Sequence, residues 1–236
     1  MAGVTAIPAF HVTLAGRAIP VRVRRNANAR RLILRLDGRS GDIIVTLPPK
    51  VSEALAHDLI RDKAPWLTAR LACSPIYVPF APGAEIPILG NPHIIRHLPD
   101  ARGGVWQEAG GLHVSGGLDH LPRRVTDWLR KIARAEIARR IGPFAAQLKV
   151  RPGRLSIRDT RTRWGSCAAN GNLSFSWRLV MAPEPVLSYV VAHEVAHLLE
   201  HNHSPRFWAA VQRLMPDMQD HRDWLKRHGR DLHLYG

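Results

Sequence analysis

The stretch VVAHEVAHLLEHNHSPRFW, residues 190–208, places four histidines and two glutamates in an otherwise apolar run. Apolar helices are usually buried, and buried charge is unfavourable unless something compensates it. A helix advances about 100° per residue, so positions four apart lie on nearly one line. His193 and His197 form such a pair, with Glu194 beside the first, the arrangement H-E-x-x-H. There two imidazoles reach one zinc ion, and the neighbouring carboxylate faces a water and serves as general base. The plainer alternative is a pair of core histidines with a surface glutamate.

A hydrolytic zinc site takes three protein ligands and leaves one position open. His201 continues the helical line but stands about 12 Å of rise from His193, too far to share an ion. The third ligand therefore belongs to chain that has turned back. Asn202 tolerates the left-handed conformation of such a corner. Ser204-Pro205 reads as a cap followed by the first-turn proline of a new helix. His203 sits at that corner, six residues after His197, and reads as the third ligand. Asp217, Asp220 and His221 are alternatives for the place, and no glutamate follows Glu200 to fill it. Phe207, Trp208, Val211 and Leu214 then anchor the corner as an apolar stripe.

With 236 residues, 45% of them hydrophobic, the chain can form one large domain or two small ones. No run approaches the roughly 18 uncharged residues of a membrane span, and MAGVTAIPAFHVTLAGR lacks the pattern of a secretory leader. Cys73 and Cys167 make no disulfide framework, so a reducing, cytoplasmic setting is expected. Cys167 reads as a buried structural thiol. The net charge of +15 is uneven: residues 1–72 and 123–163 carry the excess of arginine and lysine, while 164–236 is balanced. Such an excess reflects either genome composition or a surface for polyanions such as DNA.

Residues 10–47 alternate in strand fashion in IPVRVRR, RRLILRL and DIIVTLP, with turn chemistry in LDGRSGD, and predict a small antiparallel sheet. Its polar face carries Arg22, Arg24, Arg31 and Arg35. A helix follows over PPKVSEALAHDLIRDKAPWLTARL, capped by Ser52, with Leu55, Leu59 and Leu67 inward and a kink or restart at Pro65. Residues 73–121, rich in proline and glycine, predict short strands and loops. RRVTDWLRKIARAEIARRIGPFAAQL is an amphipathic helix interrupted at Gly142-Pro143, with Arg130, Arg134, Arg139 and Arg140 on its outer face. RLSIRD and GNLSFSWRLVMA then predict two strands, joined by TRTRWGSCAANG with a turn at Asn170-Gly171. The second of these is the edge on which an extended peptide would pair beside the histidine helix. The whole reads as two domains, a β-rich module with one helix over 1–121 and a metal-site domain over 122–236.

Residues 157–215, which include TRWGSCAANGNLSFSW, the H-E-x-x-H pair and N-H-S-x-x-F-W, resemble the signature of the YgjP-like metallopeptidases, relatives of the SprT-like and WLM zinc proteases. The resemblance extends more loosely over the basic N-terminal strands, the APWL helix and the WLRKIAR helix. It implies an α+β fold, with a small antiparallel N-terminal β module followed by a zincin-like catalytic domain of the minigluzincin type. It also implies a Zn2+ cofactor on His193, His197 and His203, Glu194 as the catalytic base, and a protein or peptide substrate. The 193–197–203 spacing equals that of metzincins, but Glu200 stands where those proteins have glycine. Three functions of different class follow: a zinc endopeptidase, a DNA-associated protease of the SprT-like kind acting on DNA-bound proteins, and a basic binding module without turnover. An intact Glu194 speaks against the last.

Overall fold

The computed structural model describes residues 10–37, 41–72 and 77–236. The chain divides into two compact units, residues 1–77 and 78–236. The 121/122 junction read from the sequence falls inside the second unit. Strands that precede it bury Ile86, Ile88, Ile95, Leu112 and Val114 in the same core as Val125, Leu129 and Ile137, which follow it.

The first unit holds strands β1 (Phe10–Leu14), β2 (Arg17–Arg25), β3 (Ile33–Leu36) and β4 (Ile43–Leu47), then helices α1 (Ala54–Asp62) and α2 (Ala64–Ala72). The sheet runs β1-β2-β4-β3 and is mixed rather than antiparallel, because β2 and β4 pair in parallel. All five residues of β4 are buried, so this strand takes the interior and β3, with its arginine, the edge. Leu14, Ile19, Val21, Ile43, Val45 and Leu47 share a core with Ala56, Ile60 and Leu67 of the helices. Leu55 is exposed, against expectation: the buried stripe of α1 runs through Ala56 and Ile60, one position on. The chain restarts at Lys63, just before Pro65, and Ser52 Oγ accepts from Ala54 N–H at 3.3 Å. On the opposite sheet face Arg22, Ile44 and Arg35 lie in one cross-strand row. Arg22 pairs with Asp42 at 2.6 Å and Arg24 donates to Thr46 at 2.9 Å. The expected turn over 36–42 and Cys73 lie partly or wholly outside the described residues.

The second unit opens with β5 (Glu85–Ile88), β6 (Asn91–Leu98), β7 (Val105–Glu108) and β8 (Gly111–Ser115), a sheet ordered β5-β6-β8-β7. Helix α3 (Leu121–Leu148) follows, unbroken through Gly142-Pro143. Pro143 and Arg139, whose carbonyl loses its helical partner, are both on the exposed side, where water replaces the missing bond. Next come β9 (Leu155–Arg158), β10 (Gly165–Cys167) and β11 (Leu173–Ser176), then helices α4 (Glu184–Ala196), α5 (Pro205–Leu214) and α6 (Met218–His228). The small sheet has the order β10-β11-β9, so the connector read as a loop contributes a strand of its own. The strand expected to continue past Trp177 instead winds into a 3-10 turn over Trp177–Met181. Ser176 Oγ caps the turn, and Pro183 keeps Ala182 extended.

Two arginines lie inside this unit. Arg140, expected on a solvated face, is 6% exposed. It donates to Glu136 Oε2 on α3, and to Glu184 Oε1 and Ser188 Oγ on α4, so that it ties the two helices together. Arg139 joins the same carboxylates. Burial works against ionisation of Glu136, but the bonds from Arg140 and Arg139 outweigh it and hold its carboxyl below the usual range. Arg178, 5% exposed, donates to Asp159 Oδ1 at 2.9 Å and to the carbonyls of Leu232 at 3.1 Å and Tyr235 at 2.6 Å. It thereby fastens the C-terminal 3-10 segment Gly229–Leu234 to the core. Arg178→Ala leaves those carbonyls and Asp159 without their donor and should cost about 2–4 kcal/mol. Urea unfolding checks this, and a loss below about 0.5 kcal/mol would show that the C-terminal segment is held without the guanidinium.

Candidate metal centre

Helix α4 is apolar on nearly all sides and is buried from Val186 to Ala196, with Ser188 and His193 only partly covered. It ends at His197, and the chain turns over 197–203 before α5 begins. Ser204 caps α5, its Oγ accepting from Phe207 N–H at 3.3 Å, and Pro205 takes the first helical position. The corner is made without a left-handed residue at Asn202. The Asn202 side-chain oxygen accepts from Ser204 N–H at 3.0 Å, an Asx turn that reverses the chain.

This reversal brings His193, His197 and His203 together, with one ligand atom from each lying within 4.8 Å of the others. His203 Nε2 and His193 Nε2 are 3.2 Å apart. Nitrogens bound tetrahedrally at 2.0–2.1 Å from one ion stand about 3.3–3.4 Å apart, so the donor set fits a zinc-sized cation. Without a cation one of these two nitrogens would have to carry a proton and donate it to the other. His197 Nδ1 lies 3.1 Å from the Glu200 carbonyl, which fixes the proton there and leaves Nε2 free to ligate. Glu200, where metzincins have glycine, thus acts through its backbone. Phe207 packs against all three rings: it stacks on His197 at 4.4 Å and meets His193 and His203 edge-on at 4.9 and 4.8 Å. Burial lowers the His193 pKa to about 3, with the charges of His197, His203 and Arg222 acting in the same direction. A neutral imidazole is the ligand form.

His201 is exposed and outside this cluster. Asp217 and His221 pair with one another at 3.0 Å on α6, and neither they nor Asp220 join the three histidines.

Glu194 is 6% exposed. Its pKa rises to about 7, driven by burial and opposed by the Arg163 charge and by a hydrogen bond from the Cys167 backbone N–H. Strand β10 lies directly against it. A Cβ at Gly165 would stand 2.5 Å from Glu194 Cγ and 2.6 Å from Oε1, so only glycine admits the carboxylate. Trp164 stacks on His233 at 5.1 Å, and its carbonyl accepts from Ser176 N–H. The RTRWGSC segment is thereby explained as a strand shaped around Glu194. Sequence reasoning missed this role; the one signal was a glycine inside a short strand, which marks close approach of another group. Cys167 is half-buried, and its thiol pKa is raised by burial and by Glu194. The edge expected on GNLSFSWRL is also corrected: β11 is central, paired by β10 on one side and β9 on the other. The edge beside Glu194 is β10.

A family model described as "YgjP-like, metallopeptidase domain" matches residues 30–228 of the chain. Among solved structures, the crystal structure of the metallopeptidase zymogen of Pyrococcus abyssi abylysin is similar at 21% identity. The alignment covers 40% of this chain and 96% of that one, with a TM-score of 0.37, too low to carry an argument. No curated protein matches.

The raised Glu194 pKa has a stability consequence. The folded protein keeps this proton where the unfolded chain has lost it, so stability declines as pH rises from about 4.5 to about 7 and is flat above. Glu194→Gln removes that decline. In metal-free protein the variant should gain on the parent by about 3 kcal/mol between pH 4.5 and 8. Urea unfolding at both pH values measures the difference, and a pH-independent gap would mean that the carboxylate ionises as in solution.

Proposed function

Since the chain belongs to the YgjP-like metallopeptidase family, whose model covers residues 30–228, we propose that it is a zinc-dependent endopeptidase. His193, His197 and His203 are its ligands and Glu194 its general base. The observation that carries this reading is the convergence of three imidazoles, one ligand atom of each within 4.8 Å of the others, beside the buried carboxylate of Glu194. When bound, a zinc ion lowers the pKa of a water toward 7 and polarises the scissile carbonyl. Glu194, with a pKa of about 7, is matched to accept a proton from water and to return it to the leaving amine. The Cys167 N–H holds one side of that carboxylate, and Gly165 leaves it room. Apart from the Cys167 N–H, the outer edge of β10 offers backbone groups on which an extended peptide can add as a further strand. The α+β architecture of the second unit serves as a zincin-like catalytic domain of the minigluzincin type in this reading.

Polyanion binding is a second reading for the first unit, favoured by one observation. Arg22, Arg24 and Arg35 lie on the sheet face opposite the helices, and Arg24 and Arg35 are exposed there. On α3 the comparable set shrinks to Arg130 and Arg134, because Arg139 and Arg140 are engaged by Glu136 and Glu184. Retention on immobilised DNA that falls steeply with salt would support this reading, and a flat salt response would remove it.

Elemental analysis after zinc loading should find one zinc per chain in the parent and in His201→Ala. His193→Ala, His197→Ala and His203→Ala should each lose most of it. Stoichiometric zinc in His203→Ala would move the third ligand elsewhere. Gly165→Ala should keep the zinc yet cut casein hydrolysis by roughly 10²-fold or more, because the added methyl displaces the base from its position. Unimpaired turnover with full zinc would show that Glu194 is not the group that moves the proton.

A further inference from the structure

The two buried arginines of the second unit are already engaged, together with Arg139 beside one of them. Arg178 holds Asp159, and Arg139 and Arg140 hold Glu136 and Glu184. Two arginines beside the histidine cluster differ. Among the described residues Arg163 and Arg222 form no ion pair with any carboxylate. Arg163 is exposed, yet its backbone is fixed, with the Thr160 hydroxyl donating to its carbonyl at 2.8 Å. It stands two residues before Gly165, across the bend at Trp164 that leads into β10, and Gly165 is the residue that faces Glu194. The segment 161–167 contains two arginines and no acid. Arg222 on α6 lies with its guanidinium 4.6 Å from the centre of the Trp208 ring, and Trp208 in turn stacks with His203 at 5.7 Å. A cation–π contact fixes a guanidinium without neutralising it.

We propose that the site selects acidic peptides. In this assignment Arg163, next to the free edge of β10, holds a glutamate or aspartate side chain of the bound strand, and Arg222 over Trp208 adds a second positive charge near the ligand histidines. The inference rests on the peptidase reading above and names its substrate class. An extended peptide pairing with β10 runs past the start of that strand, where the bend at Trp164 carries Arg163, so a side chain about two residues from the scissile bond comes within reach of its long guanidinium arm. The planar fork of Arg163 matches a carboxylate, and partial exclusion of water by the bound strand strengthens that pairing over one on an open surface. The Arg163 charge reaches as far as Glu194, which places it within the field of the reacting carbonyl as well.

Cleavage sites in a casein digest, aligned by mass spectrometry, test this. The parent should show Asp or Glu enriched about tenfold over Gln at one position two residues from the scissile bond. Arg163→Ala should flatten that preference and Arg163→Glu should turn it toward Lys and Arg. Arg222→Ala should weaken it by a few-fold, whereas the equal change of net charge in Arg102→Ala, on the exposed 99–104 loop, should leave it unchanged. A uniform loss of rate across all peptides in Arg163→Ala would show that this residue only tunes Glu194, and would overturn the proposal. So would an unselective parent. Fluorescence anisotropy on zinc-loaded Glu194→Gln protein, with a labelled Glu/Ala peptide against its Gln/Ala and Lys/Ala counterparts, separates the two readings. Tight binding of the acidic peptide that depends on Arg163, with no cleavage by the parent, would defeat the peptidase reading and leave the selectivity standing. Cleavage without that binding preference would do the reverse.

Discussion

The burial of one carboxylate at the end of an apolar helix sets the terms for the rest of the second unit. Glu194 sits on α4 at 6% exposure, among residues that are themselves core. A charge there is costly, and the protein keeps it titratable near neutrality with two modest supports, the Cys167 N–H and the Arg163 charge. Both supports come from one short segment. A strand close enough to donate that hydrogen bond must carry glycine at 165, since any side chain would meet the carboxylate oxygen at 2.6 Å. Trp164, seated on His233, and the pairing of β10 with β11 then hold the strand at that distance.

The same economy of space governs the histidines. His193 and His197 come from one helix, and the third ring reaches them because the Asn202 turn and the Ser204 cap reverse the chain within a few residues. Phe207, in the first turn of α5, touches all three imidazoles and so couples the position of the returning helix to the geometry of the cluster. Arg140 and the Glu136–Glu184 pair fix α4 against α3 from the other end. A one-residue error at any of these places would separate donors that now stand 3.2 Å apart.

The arginine excess resolves into several different physical roles. Arg140 and Arg178 are interior staples whose guanidinium forks satisfy carboxylates and carbonyls that lie far apart in sequence. Arg22 lies on a sheet face against Asp42. Arg163 and Arg222, beside the proposed site, form no ion pair with a carboxylate among the described residues; the first acts on Glu194 through its charge and the second lies over Trp208. Net charge alone therefore says little about this chain, because cations that face carboxylates inside the fold add nothing to an external field.

The local features were fixed by the sequence itself. Four-residue spacing put His193 and His197 on one helical line, and Ser204-Pro205 opened the next helix where expected, because a cap and a first-turn proline act through neighbouring backbone groups. Strand alternation likewise marked β2, β3 and β4. Tertiary structure decided everything that depends on a partner remote in the chain. It put β4 between β2 and β3, carried α3 unbroken through Pro143 because the lost bond faces water, buried Arg140, and made β10 rather than β11 the edge. The need for glycine at 165 belongs to the same class. Nothing within several residues of it demands a missing side chain; the demand comes from Glu194, 29 positions later, and exists only once helix and strand are in contact.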